Sequence, residues 1–248
     1  MSLETFRRLL LPLAAALLPA DCLVCRGPLP AQHEGGVCLP CWRSFRRLQG
    51  PCCRRCGEPV FAFEHPAPTP AYLCDECRRR TRPFDRCRSA GIYDGALREA
   101  IHRVKFDGER VLARRLGLWL ARSLSGEAME ADVVAPVPLH PRRVRERGYN
   151  QSELLSAAVA AATKLPHAPR LLLKTAPTRA QTSLGRRDRR MNLRGTFALA
   201  AGPGSRGKRI LLVDDIYTTG YTVEECARVL RRGGALAVRV ITLARTVL

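Results

Sequence analysis

Four Cys-x-x-Cys pairs lie before residue 80 of this 248-residue chain, and they constrain its fold more than any other feature. They are Cys22/Cys25, Cys38/Cys41, Cys53/Cys56 and Cys74/Cys77. Repeated pairs at this spacing are typical of tetrahedral thiolate metal sites, whereas a disulfide framework has no need of them. Because two pairs supply four ligands and leave no open position, the sequence predicts two structural zinc ions.

The pairs can share the two ions in two ways. In the sequential arrangement the first two pairs hold one ion and the last two hold the other; in a cross-brace they interleave. Twelve residues separate Cys25 from Cys38 and 17 separate Cys56 from Cys74, and the second spacing is usual for zinc ribbons. The sequential arrangement is the simpler prediction, the cross-brace stays open, and an iron–sulfur cluster is the minor alternative to zinc. Cys87 and Cys226 stand alone and are expected to be ordinary buried cysteines.

The chain divides near residue 85. Residues 21–85 carry the cysteine pairs and few long apolar runs, so this module would need its metal to fold. Residues 88–248 alternate apolar strand candidates with amphipathic helix candidates, and this βαβ order predicts an α/β domain with a parallel sheet. Hydrophobic residues make up 46% of the chain, which is enough for a core and excludes wholesale disorder.

Residues 1–20 contain a basic stretch followed by an apolar one. The apolar run is too short to span a bilayer, and we expect an amphipathic N-terminal helix and no membrane span. A lipoprotein signal is disfavoured because Asp21 directly precedes Cys22. Export would also favour oxidation of the cysteines, so the predicted location is the cytoplasm.

A second motif, ILLVDDIYTTGYT at residues 210–222, predicts a phosphate site. In open α/β sheets ligands bind at the carboxyl ends of strands, and a glycine-containing loop at a helix N-terminus binds phosphate through its backbone N–H groups. Two adjacent acids at the strand end suit the two hydroxyls of a ribose. A helix-capping acid would explain one acid and one threonine but not the whole string. The candidate ligands of a ribose 5-phosphate are Asp214, Asp215, Thr218, Thr219, Gly220 and Thr222.

The stretch LLVDDIYTTG (211–220) resembles the motif with which type I phosphoribosyltransferases bind 5-phosphoribosyl 1-diphosphate (PRPP). Together with the cysteine pairs, the whole chain resembles the ComF family of late competence proteins (ComFC- and GntX-like). Further matching stretches are CLPCWRSF (38–45), KFDGE (105–109), PVPLHPRRVRERGYNQSELL (136–155) and TRAQTSLGRRDRRMNLRGTF (178–197). Tyr221 departs from the family, which more often has a small residue there.

The resemblance implies a double zinc ribbon at 21–85 followed by a type I phosphoribosyltransferase-like parallel sheet domain at 88–248. It implies that Asp214 and Asp215 hold the ribose hydroxyls, that residues 218–222 hold the 5′-phosphate, and that Mg²⁺ accompanies PRPP. Residues 137–143 match the pyrophosphate loop and residues 178–194 match the hood that closes over PRPP. The pyrophosphate candidates are Leu139, His140, Arg142, Arg186, Arg187 and Arg190.

The charge of the chain favours anionic partners. The formal net charge is +20, and residues 140–195 alone contain 13 basic and 3 acidic residues, a net +10. The preferred hypothesis is a competence protein that takes part in DNA uptake and transformation. It would bind PRPP and single-stranded DNA and work with a ComFA-like helicase ATPase and a recombination mediator. Aromatic residues are only 6%, which argues against an extensive base-stacking platform. The alternatives are an active PRPP-dependent phosphoribosyltransferase in nucleotide metabolism and a PRPP-sensing regulator.

Overall fold

The computed structural model of the protein describes residues 21–29, 36–60, 70–124, 126, 130–177, 193–201 and 204–247. The predicted N-terminal helix at 1–20 lies outside these ranges. So do most of the predicted hood and three of the pyrophosphate candidates, Arg186, Arg187 and Arg190.

The α/β domain has the predicted alternation of strands and helices, with two short helices in the cysteine-rich module. The helices are α1 Leu39–Ser44, α2 Asp75–Arg79, α3 Gly95–Phe106, α4 Arg110–Ser123, α5 Pro141–Arg147, α6 Gln151–Thr163 and α7 Tyr221–Arg232. The strands are β1 Arg86–Ile92, β2 Val133–Pro136, β3 Leu172–Lys174, β4 Phe197–Leu199, β5 Arg209–Tyr217 and β6 Ala237–Arg245.

Four strands form one sheet in the order β1-β6-β5-β2, and all three pairings are parallel. This confirms the predicted parallel sheet. Beyond β2, His167 makes a further parallel bridge to Val134. Strands β3 and β4 form a separate antiparallel pair. Because β5 lies inside the sheet, its carboxyl end lies between the carboxyl ends of β2 and β6, and α/β sheets bind ligands at this edge.

The side chains of β5 are buried on both faces of the sheet, as expected of a central parallel strand. Leu211 and Val213 belong to a core with α3, α4 and α6. Ile210 and Leu212 belong to a second core with α7. The continuous apolar run of this strand is therefore explained by two cores that meet at one sheet.

The cysteine-rich module consists of two ribbons with the same local design. Each starts with a turn closed by an antiparallel bridge, Asp21 to Pro28 in the first and Cys52 to Pro59 in the second. Each ends in a short helix, α1 or α2. The first ribbon packs into the core of α3, α4 and α6, and the second packs into the core of α7. The two ribbons therefore cover opposite faces of the same sheet.

Among the residues described, no helix combines the length and the apolar character that crossing a membrane would require.

Candidate functional site

The eight cysteines of the four pairs form two tetrads in sequential order. Cys22, Cys25, Cys38 and Cys41 form the first tetrad, and Cys53, Cys56, Cys74 and Cys77 form the second. Within each, the sulfurs lie within 4.8 Å of one another. The structure thus supports the sequential arrangement and not the cross-brace.

The sulfur separations match a tetrahedral zinc ion. Sγ–Sγ distances are 3.9 Å for Cys22–Cys41, 3.8 Å for Cys25–Cys38 and 3.6 Å for Cys56–Cys74. A tetrahedron with Zn–S bonds of about 2.3 Å has sulfurs about 3.8 Å apart. The tetrads are consistent with two structural zinc ions, and no corner is left open for a substrate.

Local backbone geometry builds the turns that carry these cysteines. The N–H groups of Val24 and Cys38 donate to Cys22 Sγ at 3.4 and 3.3 Å. The residue four positions after the first cysteine has a positive φ in both ribbons, +60° at Arg26 and +72° at Gly57. A side chain at Gly57 would place its Cβ 2.6 Å from the Cys87 carbonyl oxygen, so glycine is required where the second ribbon meets β1.

The two lone cysteines behave as predicted. Cys87 and Cys226 are fully buried in the core of α7 and lie outside both tetrads. Burial raises the pKa of the Cys87 thiol to about 12, so this thiol is protonated and unreactive at neutral pH.

The two acids of the phosphate motif lie buried at the carboxyl end of β5. Asp214 and Asp215 are 8% and 6% exposed. The Oδ1 atom of Asp214 accepts hydrogen bonds from Ser152 Oγ at 2.8 Å and from its neighbour's backbone N–H at 2.9 Å. Burial, followed by the neighbouring charge of Asp215, raises the pKa of Asp214 to about 7.

Asp215 is held by a cation from another element. The Nζ atom of Lys105, near the end of α3, lies 2.9 Å from Asp215 Oδ2. Apart from this ion pair, Oδ2 has no hydrogen-bond partner among the described residues. Arg147, at the end of α5, is also near this carboxylate: desolvation lowers the pKa of Arg147, and the charge of Asp215 opposes that shift. The acid pair therefore has polar atoms available to a ligand and cations that balance its charge.

The loop after the acids leads directly into α7. Gly220 is the N-cap of α7 with φ +79°, and an added Cβ would lie 2.3 Å from Tyr217 Oη. Thr218 is exposed, while Thr219 and Thr222 are partly buried. The first amides of a helix have no intrahelical acceptor and carry its positive partial charge. The loop can therefore hold a phosphate beside the acid pair, as the motif predicts.

Comparison with known proteins identifies the family. Family models match the chain as a double zinc ribbon domain over residues 13–78 and a phosphoribosyl transferase domain over residues 156–246. DNA utilization protein YhgH of Escherichia coli K12 is 33% identical over 92% of this chain and 98% of the relative. Competence protein F of Haemophilus influenzae is 31% identical over 90% and 96%. Competence protein ComFC of Bacillus subtilis is 28% identical over 85% and 84%. The chain belongs to the ComF family.

Membership of the ComF family confirms the predicted resemblance and architecture, a double zinc ribbon followed by a phosphoribosyltransferase fold. The loop that resembles the pyrophosphate loop follows β2 directly, because the N–H of Val137 still donates to the Val213 carbonyl at 2.9 Å. Leu139 and His140 lie in this loop and are half-buried. The structure therefore places them at the same sheet edge as the acid pair.

The third described pyrophosphate candidate, Arg142, lies on α5, a helix that the sequence did not predict. Its side chain is exposed and pairs with Glu146 at 3.0 Å, while its backbone N–H donates to His140 Nδ1 at 3.2 Å. Exposed ion pairs contribute little and are easily broken, so a ligand could still recruit Arg142. His140 is already used as the cap of α5.

Sequence reasoning did not assign Lys105, Ser152 or Arg147 to the site. Two signals were present: Lys105 opens the KFDGE stretch, and Ser152 lies in the long stretch 136–155, both of which match the ComF family. Their polar contacts to the acid pair arise only when α3 and α6 pack against the sheet.

Proposed function

We propose that this ComF-family protein binds PRPP with Mg²⁺ at the carboxyl end of β5 and acts in DNA uptake or utilisation. The observation that carries the proposal is the buried pair Asp214 and Asp215 beside a glycine-capped helix N-terminus. A cluster of this kind combines acceptors for a sugar diol with donors for a phosphate. The relatives named competence protein F, ComFC and DNA utilization protein support the biological role.

The roles of the residues follow from their contacts. Asp214 and Asp215 would accept hydrogen bonds from the ribose hydroxyls, and residues 218–222 would donate to the 5′-phosphate. Lys105 and Arg147 offset the charge of the carboxylates, so a polyanionic ligand does not meet two uncompensated acids. Mg²⁺ prefers oxygen ligands and usually binds through the phosphates of a substrate together with one or two protein carboxylates. The carboxylate of Asp215, whose Oδ2 atom forms an ion pair with Lys105 at 2.9 Å, offers oxygen ligands of the type that Mg²⁺ prefers.

The cysteine tetrads have a separate role in this proposal. Each would hold one zinc ion, through the Sγ atoms of its four cysteines, and stabilise its ribbon without taking part in chemistry. Because zinc binds the thiolate form, the cysteines of each tetrad would lose their protons when the ion binds.

A transferase activity is the second candidate, and a cavity favours it. A cavity of about 400 Å³ next to the loop after β2 is lined by His140, Asn150, Glu153, Lys174 and Thr175, among others. An acceptor nitrogen bound there would attack C1 of PRPP, the C1–oxygen bond would break, and diphosphate would leave with the electron pair. Incubation of PRPP and Mg²⁺ with a panel of bases and amines tests this activity, and an absence of diphosphate release would count against it.

Binding of single-stranded DNA is the third candidate, supported by a groove at the first ribbon. The groove has a volume of about 370 Å³, and its lining includes Trp42, Trp119, Arg47, Arg115 and Arg122. Guanidinium groups suit backbone phosphates. The half-buried ring of Trp42 can stack on a base, whereas Trp119 is buried against Phe45. Binding of a labelled oligothymidine should weaken steeply with salt. No binding at low salt would contradict this candidate.

Calorimetric titration of PRPP and Mg²⁺ into the zinc-loaded protein tests the main proposal. We expect saturable binding that Asp215→Asn abolishes and Asp132→Asn leaves unchanged. Asp132 is the matched control because it pairs with Arg209 at the opposite, amino end of β5. Absence of binding to the folded wild-type protein would contradict the proposal, as would equal binding by the Asp215 variant.

A further inference from the structure

A buried network of ion pairs joins the second zinc ribbon to the start of α7. The side chains of Arg82 and Glu224 are 2% and 4% exposed and are paired directly. Arg80 donates from its two terminal nitrogens to both carboxylate oxygens of Glu224, at 3.0 and 2.9 Å. Both arginines follow shortly after Cys77, the last cysteine of the second tetrad. Glu224 lies in the first turn of α7, directly after the phosphate loop.

The ribbon side of this network is tied to the tetrad itself. Arg82 pairs at 3.1 Å with Glu76 of α2, the residue directly before Cys77. Charges are costly to bury unless they are fully paired. Separating these pairs would leave buried charges without partners, so the network favours fixed positions of α2 and the first turn of α7 relative to each other.

A second set of contacts also joins the second ribbon to the phosphate loop. Arg245, at the end of β6, donates to the Cys56 carbonyl at 2.9 Å and also pairs with Glu58. Its guanidinium lies 5.0 Å from the ring centre of Tyr217. Tyr217 in turn fills the space beside Gly220, where no side chain would fit. The conformation of the N-cap thus also depends on residues adjacent to a tetrad cysteine.

The first ribbon contacts other parts of the α/β domain. Its polar contacts include a half-exposed pair, Arg26 with Glu109 at 3.1 Å, and a bond from Arg103 Nε to the Val24 carbonyl at 3.2 Å. These contacts go to α3 and the residue before α4 and not to the phosphate loop. The two ribbons are alike in local design but differ in what they touch.

We propose that Arg82 and Glu224 are positioning residues for PRPP, through which the second ribbon holds the phosphate loop and the first turn of α7 in the binding conformation. The inference rests on the proposed function of the loop. Neither residue needs to touch the ligand: Glu224 acts by fixing the turn whose amides meet the phosphate. The second ribbon would then set the affinity of the sheet domain for its ligand.

The test compares PRPP affinity with stability in the zinc-loaded full-length protein. We expect Arg82→Met and Glu224→Gln each to weaken PRPP binding about tenfold by calorimetry, and the double variant to be little worse than either single variant, because the pair acts as a unit. Arg82→Lys should recover part of the loss because it restores the charge. Amide exchange of residues 220–224 without ligand should become faster in the affected variants.

The matched control is Ser205→Ala. Ser205 is fully buried and donates to the Leu230 carbonyl at 3.1 Å, at the far end of the same helix. We expect it to lower the melting temperature and leave PRPP affinity unchanged. If Arg82→Met does not fold, Arg80→Met replaces it, because Arg80 is only partly buried and makes two bonds to the same carboxylate.

The outcomes separate the inference from the proposed function. If the wild-type protein binds PRPP and the folded variants bind it with the same affinity, the positioning role alone is overturned. A loss of affinity in Ser205→Ala equal to that in Arg82→Met would also overturn it, since general destabilisation would then explain both. No PRPP binding by the wild-type protein would overturn both the inference and the proposed function.

Discussion

Replacing Asp214 by asparagine should stabilise the ligand-free protein above neutral pH while it removes PRPP affinity. The Oδ1 atom of Asp214 accepts from Ser152 and from the backbone N–H of Asp215, and an asparagine oxygen can accept both bonds. The amide nitrogen of the variant would replace the other oxygen and remove repulsion from the charge of Asp215. Acids that a binding site keeps buried commonly reduce the stability of the fold in this way.

The size of this stability difference follows from the pKa of the Asp214 carboxyl. Burial raises this pKa to about 7 in the folded protein, whereas it is about 3.9 in an unfolded chain. Below about pH 4 both states are protonated and this carboxyl contributes nothing. Between the two pKa values the folded state binds more protons than the unfolded state, so stability falls as pH rises. Above about pH 7 both states are ionised and the penalty is constant. Between about pH 5.5 and 7 the folding free energy of the wild-type protein becomes less favourable by about 2 kcal/mol because of this carboxyl.

Thermal unfolding of the wild-type and Asp214→Asn proteins between about pH 5.5 and 8.5 tests this reasoning, with zinc content checked at each pH. The advantage of the variant should grow by about 2 kcal/mol, or about 4 to 8 °C, between pH 5.5 and 7 and then level off. A difference that does not change with pH, or a variant that is less stable at pH 8, would refute it.

Three further predictions address the loop, the metal and the cation. Gly220→Ala should lower the free energy of unfolding in urea by about 2 to 4 kcal/mol and abolish PRPP binding, because the added Cβ would meet Tyr217 at a residue whose φ is +79°. The control is Gly207→Ala, with φ +69° and no atom near the added Cβ, which should show the cost of backbone strain only. Equal losses of stability in the two variants would contradict the steric argument. Cys74→Ser should lower zinc from two ions to one per chain by metal analysis, whereas Cys52→Ser, outside the tetrads, should retain both. Lys105→Met should weaken PRPP binding about tenfold. The pH at which PRPP affinity is half-maximal should also rise in this variant, because the charge of Lys105 lowers the pKa of Asp214. An unchanged midpoint in calorimetric titrations at several pH values would count against this role.

The sequence was sufficient to predict the elements that have strong local patterns. The continuous apolar run of β5 and its two terminal acids marked both a buried strand and the sheet edge that carries the candidate site. The apolar stretch DVVAPVPL at 132–139 is typical of a strand, but β2 covers only Val133–Pro136. Pro138 has no N–H to continue the ladder beyond Val137. Helix α5 was missed because PRRVRER has no apolar periodicity and buries no residue.

Contacts between distant residues could not be predicted from one sequence. Ser152 and Asp214 are 62 residues apart, and Arg82 and Glu224 are 142 apart. Nothing in the local sequence around Arg82 distinguishes it from the many other arginines of a basic chain. Its burial depends on how the second ribbon packs against α7, and the docking of the two ribbons on opposite faces of the sheet is likewise a tertiary property.

A crystal structure of the zinc-loaded protein with PRPP and Mg²⁺ is the most direct test of the central claim. We expect the 5′-phosphate at the backbone N–H groups of residues 218–222 and the ribose hydroxyls at the carboxylates of Asp214 and Asp215. Ligand density only at another surface, or no density at this sheet edge at saturating PRPP, would contradict the proposed binding site.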